Sequence, residues 1–232
     1  MANIVVLGAT GSVGSALAQT LVARGDQVWL LGRAPSAVDG AAGSGIIDIS
    51  SSESVEAAIR EAQTTLGEVN GIANCIGSVH LKPAHATSDA EFRETIETNL
   101  FSAFATVRAA GNLMRDGGSV VLFASAAAEI GISNHEAIAA AKAGVIGLAR
   151  SAAASYAARN LRINVISPGL VKSKMTKRLW ENSAAAAASI EMHALGRLGE
   201  PSQIASLAAW LLDPANDWIT GQIIGVDGGL GS

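Results

Sequence analysis

Residues 119–147 read SVVLFASAAAEIGISNHEAIAAAKAGVIG. The apolar run 120–123 is typical of a strand covered on both faces, as in a parallel sheet flanked by helices. Ser125 comes just past the carboxyl end of this strand, at the edge where open α/β sheets bind ligands. We therefore predict an α/β fold and treat Ser125 as a candidate functional residue.

A single lysine interrupts the small and apolar helix that follows. Lys142 lies in IAAAKAGVIGLAR, seventeen positions after Ser125. A lysine in such a helix either extends its ammonium along apolar surface to solvent or binds a ligand. We favour ligand binding for Lys142.

In order and spacing, Ser125 and Lys142 resemble the active-site residues of the short-chain dehydrogenase/reductase family. That family has a serine thirteen residues before a tyrosine, and a lysine four residues after the tyrosine. Counting from Ser125 or from Lys142 leads to the same position, Ile138. The resemblance implies that this chain keeps the serine and the lysine and has Ile138 in place of the catalytic tyrosine.

The length of 232 residues fits one domain, and the resemblance implies that this is a single NAD(P)-binding domain over residues 1–232. The chain has 49% hydrophobic and 16% charged residues, which suits a buried sheet and buried subunit contacts. Its net charge of -4 gives no basic surface for nucleic acid or for an anionic membrane. Cys75 cannot form an internal disulfide, and we see no signal peptide and no apolar run of the ~18 residues that a membrane span needs. We predict a cytoplasmic protein without a metal site.

The amino-terminal segment has the pattern of a dinucleotide-binding unit. Asn3–Leu7 reads as a buried strand, GATGSVGS follows as a glycine turn, and an apolar pattern continues as a helix that ends at Gly25. In such units a pyrophosphate rests on the helix N-terminus. The family's usual spacing is Gly-x-x-x-Gly-x-Gly, whereas this chain has Ser12 at the middle glycine and Gly11 one position early. The cofactor-binding residues predicted in the turn are Gly8, Thr10, Gly11, Ser12, Val13 and Gly14.

Arg33 follows the second predicted strand, residues 28–31. An acid at this position would bind the 2′-hydroxyl of NAD, whereas a nearby arginine can accommodate the 2′-phosphate of NADP. Because the acid is absent, we predict NADP(H) as the favoured cofactor and keep NAD(H) as the alternative. Arg33 could also be a solvated loop residue.

The next crossover is predicted to be a loop, since residues 34–44 contain proline and glycines and lack helical periodicity. The third strand is predicted over 45–47. Asp48 comes next, and the resemblance implies that it lies beside the adenine. Ile49 after it is also predicted to bind the cofactor. Ser50 and Glu53 have capping-box spacing for the helix that ends at Gly67.

The fourth predicted strand runs into Asn74-Cys75-Ile76-Gly77, which resembles the family's Asn-Asn-Ala-Gly and keeps Asn74 and Gly77. Ser88 and Glu91 have capping-box spacing. An apolar stripe follows along a long helix, formed by Phe92, Ile96, Leu100, Phe104 and Val107. By resemblance, Asn99 bends this helix and holds a water against the catalytic lysine; the alternative is a helix-surface residue.

After a sixth predicted strand, residues 161–166, the resemblance implies that Pro168 and Gly169 meet the nicotinamide and that Ser173 lies near its carboxamide. It also implies a substrate lid at about 174–199.

The resemblance covers the whole chain. It implies a Rossmann-type doubly wound parallel sheet of about seven strands in the order 3-2-1-4-5-6-7, with helices on both faces, and a homo-oligomer, tetramer or dimer, that binds a small-molecule substrate.

The missing tyrosine leaves three functions open. The first is an oxidoreductase in which the proton comes from Ser125, from a water held by Lys142 and Asn99, or from His135, whose alternative is an exposed residue at a helix start. The second is a cofactor-binding protein with little redox activity, and the third is a non-redox reaction assisted by Lys142. Tyr156, the one tyrosine of the chain, lies about 27 Å further along the helix and cannot replace the missing one.

Overall fold

The computed structural model describes residues 1–231, and a parallel sheet of seven strands forms its centre. The strands are β1 (Asn3–Leu7), β2 (Gln27–Gly32), β3 (Gly43–Ile46), β4 (Gly71–Asn74), β5 (Gly118–Phe123), β6 (Leu161–Pro168) and β7 (Ile223–Val226). They are ordered β3-β2-β1-β4-β5-β6-β7, and each neighbouring pair is parallel. The predicted strand order is confirmed.

Helices cover both faces of this sheet. They are α1 (Ser12–Arg24), α2 (Ser52–Leu66), α3 (Asp89–Ile96), α4 (Ser102–Leu113), α5 (Glu136–Tyr156), α6 (Lys177–Trp180), α7 (Ser183–Met192) and α8 (Pro201–Leu212). One apolar cluster packs α1 and α8 against the sheet, and another packs α2, α4 and α5 against its other face. Since the central strands are covered on both sides, they need the continuous apolar runs seen in the sequence.

The helix α5 owes its apolar character to its place in the core. Among the described residues, Glu136–Arg159 is the segment long and apolar enough to cross a membrane by length and composition alone. Half of that apolar window is buried inside the protein, where α5 packs against β6. Packing in the core therefore accounts for its sequence.

The start of the third strand and the cap of α2 differ from the prediction. β3 begins at Gly43 because the ring of Trp29 lies against that glycine: a Cβ there would be 2.4 Å from the ring. The N-cap of α2 is Ser51, whose side chain accepts from the Ser54 N–H, while Ser50 instead donates to Asp48. The predicted crossover without a helix between β2 and β3 is confirmed.

The predicted apolar stripe of the long helix is only partly buried. A π-helical turn, Glu97–Phe101, joins α3 to α4. A π turn holds an additional residue, so the side chains after it rotate relative to those before it. Val107 is buried, but Phe92 and Phe104 are 42% and 46% exposed. The capping box of Ser88 and Glu91 at the start of α3 is present as predicted.

Candidate active site

The carboxyl ends of four neighbouring strands bring most of the predicted residues to one edge of the sheet. Gly8 follows β1, Gly77 follows β4, Ser125 follows β5, and Gly169 follows β6. Because β1, β4, β5 and β6 are adjacent and parallel, these residues lie along a common edge. α5 then carries Lys142 back towards that edge.

The Lys142 ammonium lies beneath the edge, in the interior of the protein. The residue is 7% exposed, and its Nζ donates a hydrogen bond to the carbonyl oxygen of Phe123 at 2.8 Å. Burial, which penalises the charged form, lowers the pKa of Lys142 to about 8. An ammonium has three donors, so two of them are left for ligand hydroxyl groups.

Gly77 and Asn99 complete the surroundings of the lysine. A Cβ on Gly77 would lie 3.2 Å from Oδ1 of Asn99 and 3.6 Å from Nζ of Lys142. Asn99 is buried in the π turn, where its Oδ1 accepts from the Ser78 N–H and its Nδ2 donates to the Ser78 hydroxyl and to the Thr95 carbonyl. The structure thus joins Lys142, Gly77 and Asn99.

Ser78 belongs to this group, although sequence analysis did not identify it. The signal available was its position directly after Asn74-Cys75-Ile76-Gly77, in the same loop as Gly77. Only the structure shows the two hydrogen bonds that pair it with Asn99.

Ser125 and Ile138 occupy the two ends of the segment between β5 and α5. The Ser125 oxygen accepts a hydrogen bond from the Ala127 N–H at 3.2 Å, which leaves its O–H free to donate. Ile138 is 4% exposed and lies one helical turn before Lys142. It has no proton to exchange. Tyr156 lies at the far end of α5, where its ring meets Arg159.

His135 is the N-cap residue of α5 and is half-buried. Its Nδ1 lies 2.8 Å from the Ser133 carbonyl oxygen. A carbonyl only accepts hydrogen bonds, so Nδ1 carries a proton and Nε2 of the neutral ring is an acceptor. His135 can therefore exchange a proton through Nε2.

The glycine turn is tightly packed and leaves the start of α1 uncapped. A Cβ on Gly14 would lie 2.4 Å from the Gly8 carbonyl oxygen, and a Cβ on Gly8 would lie 2.8 Å from the backbone of Cys75. Within residues 1–231 no side chain caps α1 after Gly11, and its first turn has no acid. Uncapped N–H groups at a helix N-terminus suit an anion, so these residues fit the pyrophosphate of a dinucleotide.

The other residues of the turn have different surroundings. Thr10 is exposed, whereas Val13 packs on the apolar cluster around α1. The Ser12 oxygen accepts from the Lys174 N–H at 3.0 Å, which ties the start of the 174–199 segment to the turn. The predicted lid thus begins in contact with the predicted pyrophosphate site.

Residues predicted near the adenine end follow β2 and β3. Arg33 is exposed, and its side chain has no hydrogen bond or ion pair within residues 1–231. The Asp48 carboxylate accepts from the side chain and the N–H of Ser50, and these hydrogen bonds lower its pKa. Ile49 packs against the core. The guanidinium of Arg33 is therefore available to a ligand, whereas the Asp48 carboxylate is engaged locally.

Asn74 and Cys75 serve packing within the sheet. Asn74 is buried and donates to Thr106, while its oxygen accepts from the Ile76 N–H. Burial raises the pKa of the Cys75 thiol to about 12, so the thiol stays protonated. This is consistent with a packing role for Cys75.

The turn after β6 is held by local contacts. Pro168 ends the strand opposite Val226, and the Gly169 N–H donates to the Val226 carbonyl. Ser173 is buried, and its hydroxyl and N–H both bond the Thr176 hydroxyl. The predicted carboxamide contact of Ser173 would thus compete with Thr176.

Comparison with known proteins identifies the family. The family model described as enoyl-(acyl carrier protein) reductase matches residues 8–231. The chain is 33% identical over 235 residues to carbonyl reductase family member 4 of Danio rerio, a match covering 97% of this chain and 96% of that protein. It is 32% identical over 236 residues to 3-oxoacyl-(acyl-carrier-protein) reductase of Salmonella typhimurium, covering 97% and 95%.

Solved structures give the same result. A short-chain type dehydrogenase/reductase from Mycobacterium ulcerans superposes with a TM-score of 0.93 at 26% identity, covering 99% of this chain and 89% of that one. Levodione reductase superposes with a TM-score of 0.92 at 27% identity, covering 99% and 97%. The chain therefore belongs to the short-chain dehydrogenase/reductase family of oxidoreductases.

Proposed function

We propose that the protein is an oxidoreductase that transfers hydride between NADP(H) and a small carbonyl or alcohol substrate, with Ile138 at the family's tyrosine position. The observation that carries this proposal is the buried Lys142 ammonium, which lies at the carboxyl edge beside Gly77 and Asn99. A buried cation without an acidic partner is costly, and ligand hydroxyl groups would offset that cost. Relatives named as a carbonyl reductase and as an oxoacyl reductase support the substrate class.

The cofactor would lie along the edge from the glycine turn to the turn after β6. The N-terminus of α1 would hold the pyrophosphate and Lys142 the ribose hydroxyls, with Gly77 beside that lysine and Asp48 and Ile49 at the adenine end. Asn74 would support the loop that carries Gly77, since its oxygen accepts from the Ile76 N–H. Pro168, Gly169 and Ser173 would line the nicotinamide half. The free guanidinium of Arg33 supports NADP(H) over NAD(H). When bound, the nicotinamide supplies or accepts the hydride.

The proton must come from this chain or from water. Reduction of a carbonyl adds a hydride to carbon and a proton to oxygen; oxidation removes both. Ser125 can orient the oxygen through its free O–H, and His135 can exchange the proton at Nε2. Residues 174–199 would form the lid over the substrate, in a single domain that works as a cytoplasmic enzyme.

The aliphatic side chain of Ile138, which cannot donate a proton, favours one alternative: a cofactor-binding protein with little redox activity. A placed acid contributes ~10² to 10⁴ in rate, and an isoleucine contributes none of this. Non-redox chemistry at Lys142 is the remaining alternative.

The test introduces a tyrosine phenol at position 138. If the other groups occupy family positions, Ile138→Tyr should raise reduction of an activated ketone tenfold or more, within the ~10² to 10⁴ that a placed acid supplies. The gain should vanish in the double variant Ile138→Tyr, Lys142→Ala, because the lysine lowers the phenol's pKa. Ile138→Phe is the matched control, with a similar ring and no hydroxyl.

Cofactor titration accompanies the activity measurement. NADP⁺ should bind the wild type more tightly than NAD⁺. Binding without turnover of any carbonyl or alcohol by the wild type would favour the alternative. A folded Ile138→Tyr variant that binds cofactor and shows no gain would contradict the proposed placement of Ile138.

A further inference from the structure

His193 is an interior histidine that the proposed reaction does not use. It follows α7 directly and is 4% exposed. Its ring lines a cavity of about 320 Å³ between the turns that follow β6 and β7. A Cβ on Gly169 would lie 2.6 Å from its Nε2, and one on Gly228 would lie 3.5 Å from its Cδ2. The ring therefore packs against both turns.

Two hydrogen bonds fix the protonation state of this ring. Nε2 lies 3.1 Å from the Leu170 backbone nitrogen, whose N–H can only donate. Nδ1 lies 2.6 Å from the Ser189 carbonyl oxygen, which can only accept. The ring in this arrangement is neutral, with its proton on Nδ1 and a lone pair on Nε2.

The charged groups around His193 are engaged elsewhere. Asp227 lines the same cavity, but its carboxylate oxygens accept from the Gly229 and Gly231 N–H groups. Arg197 also lines it and donates to the Leu198 carbonyl and to Gln203. Among residues 1–231, the two ring nitrogens of His193 contact the Leu170 nitrogen and the Ser189 carbonyl oxygen rather than either of these charged groups. The state of the ring is thus set by Leu170 and Ser189.

We propose that His193 is a positioning residue that holds the turn of Gly169 and Leu170 against α7 only while its imidazole is neutral. A second proton on Nε2 would face the Leu170 N–H, so two donors would meet and the contact would be lost. Histidine changes charge in the range from pH 5 to 8, so mild acid would release the turn. This rests on the proposed function, in which that turn meets the nicotinamide. Cofactor binding should then weaken in acid.

The test compares wild type with His193→Gln, whose amide oxygen can accept from the Leu170 N–H without titrating. NADP⁺, which is stable in acid, is titrated at pH 7.5 and pH 5.5. The wild type should lose about fivefold in affinity more than His193→Gln does, the size expected for one buried hydrogen bond. His85→Gln, at an exposed histidine in the 3-10 turn before α3, should keep the wild-type pH dependence. Equal pH dependence in wild type and His193→Gln would overturn the proposal.

A second readout does not need the cofactor. Amide hydrogen exchange at Leu170, measured by NMR on the full chain, should speed up in the wild type relative to His193→Gln when both are taken from pH 7.5 to pH 5.5. If the ratio of the Leu170 exchange rates in wild type and His193→Gln is the same at both pH values, the proposed role of His193 is refuted, even where the cofactor binds. If no cofactor binds at either pH while this ratio changes, the proposed function fails and the proposed role of His193 stands.

Discussion

Burial of the Lys142 ammonium has a measurable cost in the free energy of unfolding. Its folded pKa of about 8 lies below the ordinary value of 10.5, so the folded protein loses this proton before the unfolded chain does. The unfolded state then binds more protons between these values, and stability rises with pH across that window. Below about pH 8 the buried lysine is still charged, and the stability that this charge costs is regained when the amine becomes neutral.

We expect wild type to gain stability relative to Lys142→Met as the pH rises from about 8 to 10.5. The gain should approach about 3 kcal/mol, from the shift in pKa. Urea unfolding of both proteins without cofactor at several pH values measures it. Lys174→Met, at an exposed lysine, is the matched control and should track the wild type. A constant difference between wild type and Lys142→Met would show that Lys142 is not desolvated.

For single residues, the sequence identified members of the candidate site but not the contacts that they make. Ser125 and Lys142 were candidates from their places in the sequence pattern, and the family resemblance then singled out Ile138, which is four positions before Lys142 and so shares its helix face. It could not show that Lys142 donates to Phe123, or that His193 is interior, because both depend on segments distant in sequence. Side-chain contacts between distant segments are not encoded in local patterns.

Among the elements, α3 has the clearest local signal for its start. Ser88 accepts from the Glu91 N–H, and Glu91 accepts from the Ser88 N–H. The Glu91 carboxylate also accepts from the Lys82 ammonium, and these hydrogen bonds, that from Lys82 foremost, lower its pKa to about 2. The cap therefore joins the loop after β4 to the helix that leads into the π turn.

Ser88→Ala should lower the free energy of unfolding by about 1 kcal/mol, because it removes the side chain that satisfies a helix N–H. Thermal or urea unfolding measures the change. Ser183→Ala is the control, since Ser183 is exposed and the cap of α7 is Asn182. Similar losses in the two variants would argue against the capping box.

Element boundaries were predicted less well than element types. The start of β3 was misplaced because glycine has low strand propensity, and packing of Gly43 on Trp29 overrides it. The resemblance predicted a bend at Asn99 but not that the bend is a π turn, so the exposure of Phe104 could not be foreseen. Strand order, in contrast, followed from the family resemblance and from the alternation of strands and helices.

For the whole molecule, we expect homo-oligomers, with a tetramer as the leading prediction. Phe92 and Phe104 leave large apolar side chains exposed on α3 and α4, and Gly147 on α5 has open space above it. Exposed aromatic side chains near a small-residue helix are suited to pack against another copy. Light scattering at micromolar concentration measures the mass.

Phe104→Glu should reduce that mass, because it places a charge where apolar contact is expected. Met175→Glu, at a half-exposed methionine of the 174–199 segment, should leave the mass unchanged. A wild-type monomer would contradict the prediction.

The two outermost strands bear on how the protein avoids aggregation. β3 and β7 are the edges of the sheet, and each has four residues. An exposed edge offers unpaired N–H and C=O groups onto which a foreign strand can add, and short edges limit this. β3 reads Gly-Ser-Gly-Ile, so its glycines and serine offer an incoming strand little side-chain surface for packing. The crossover before β3 contains no helix, and we expect the shortness of β3 to limit edge-to-edge pairing with other chains.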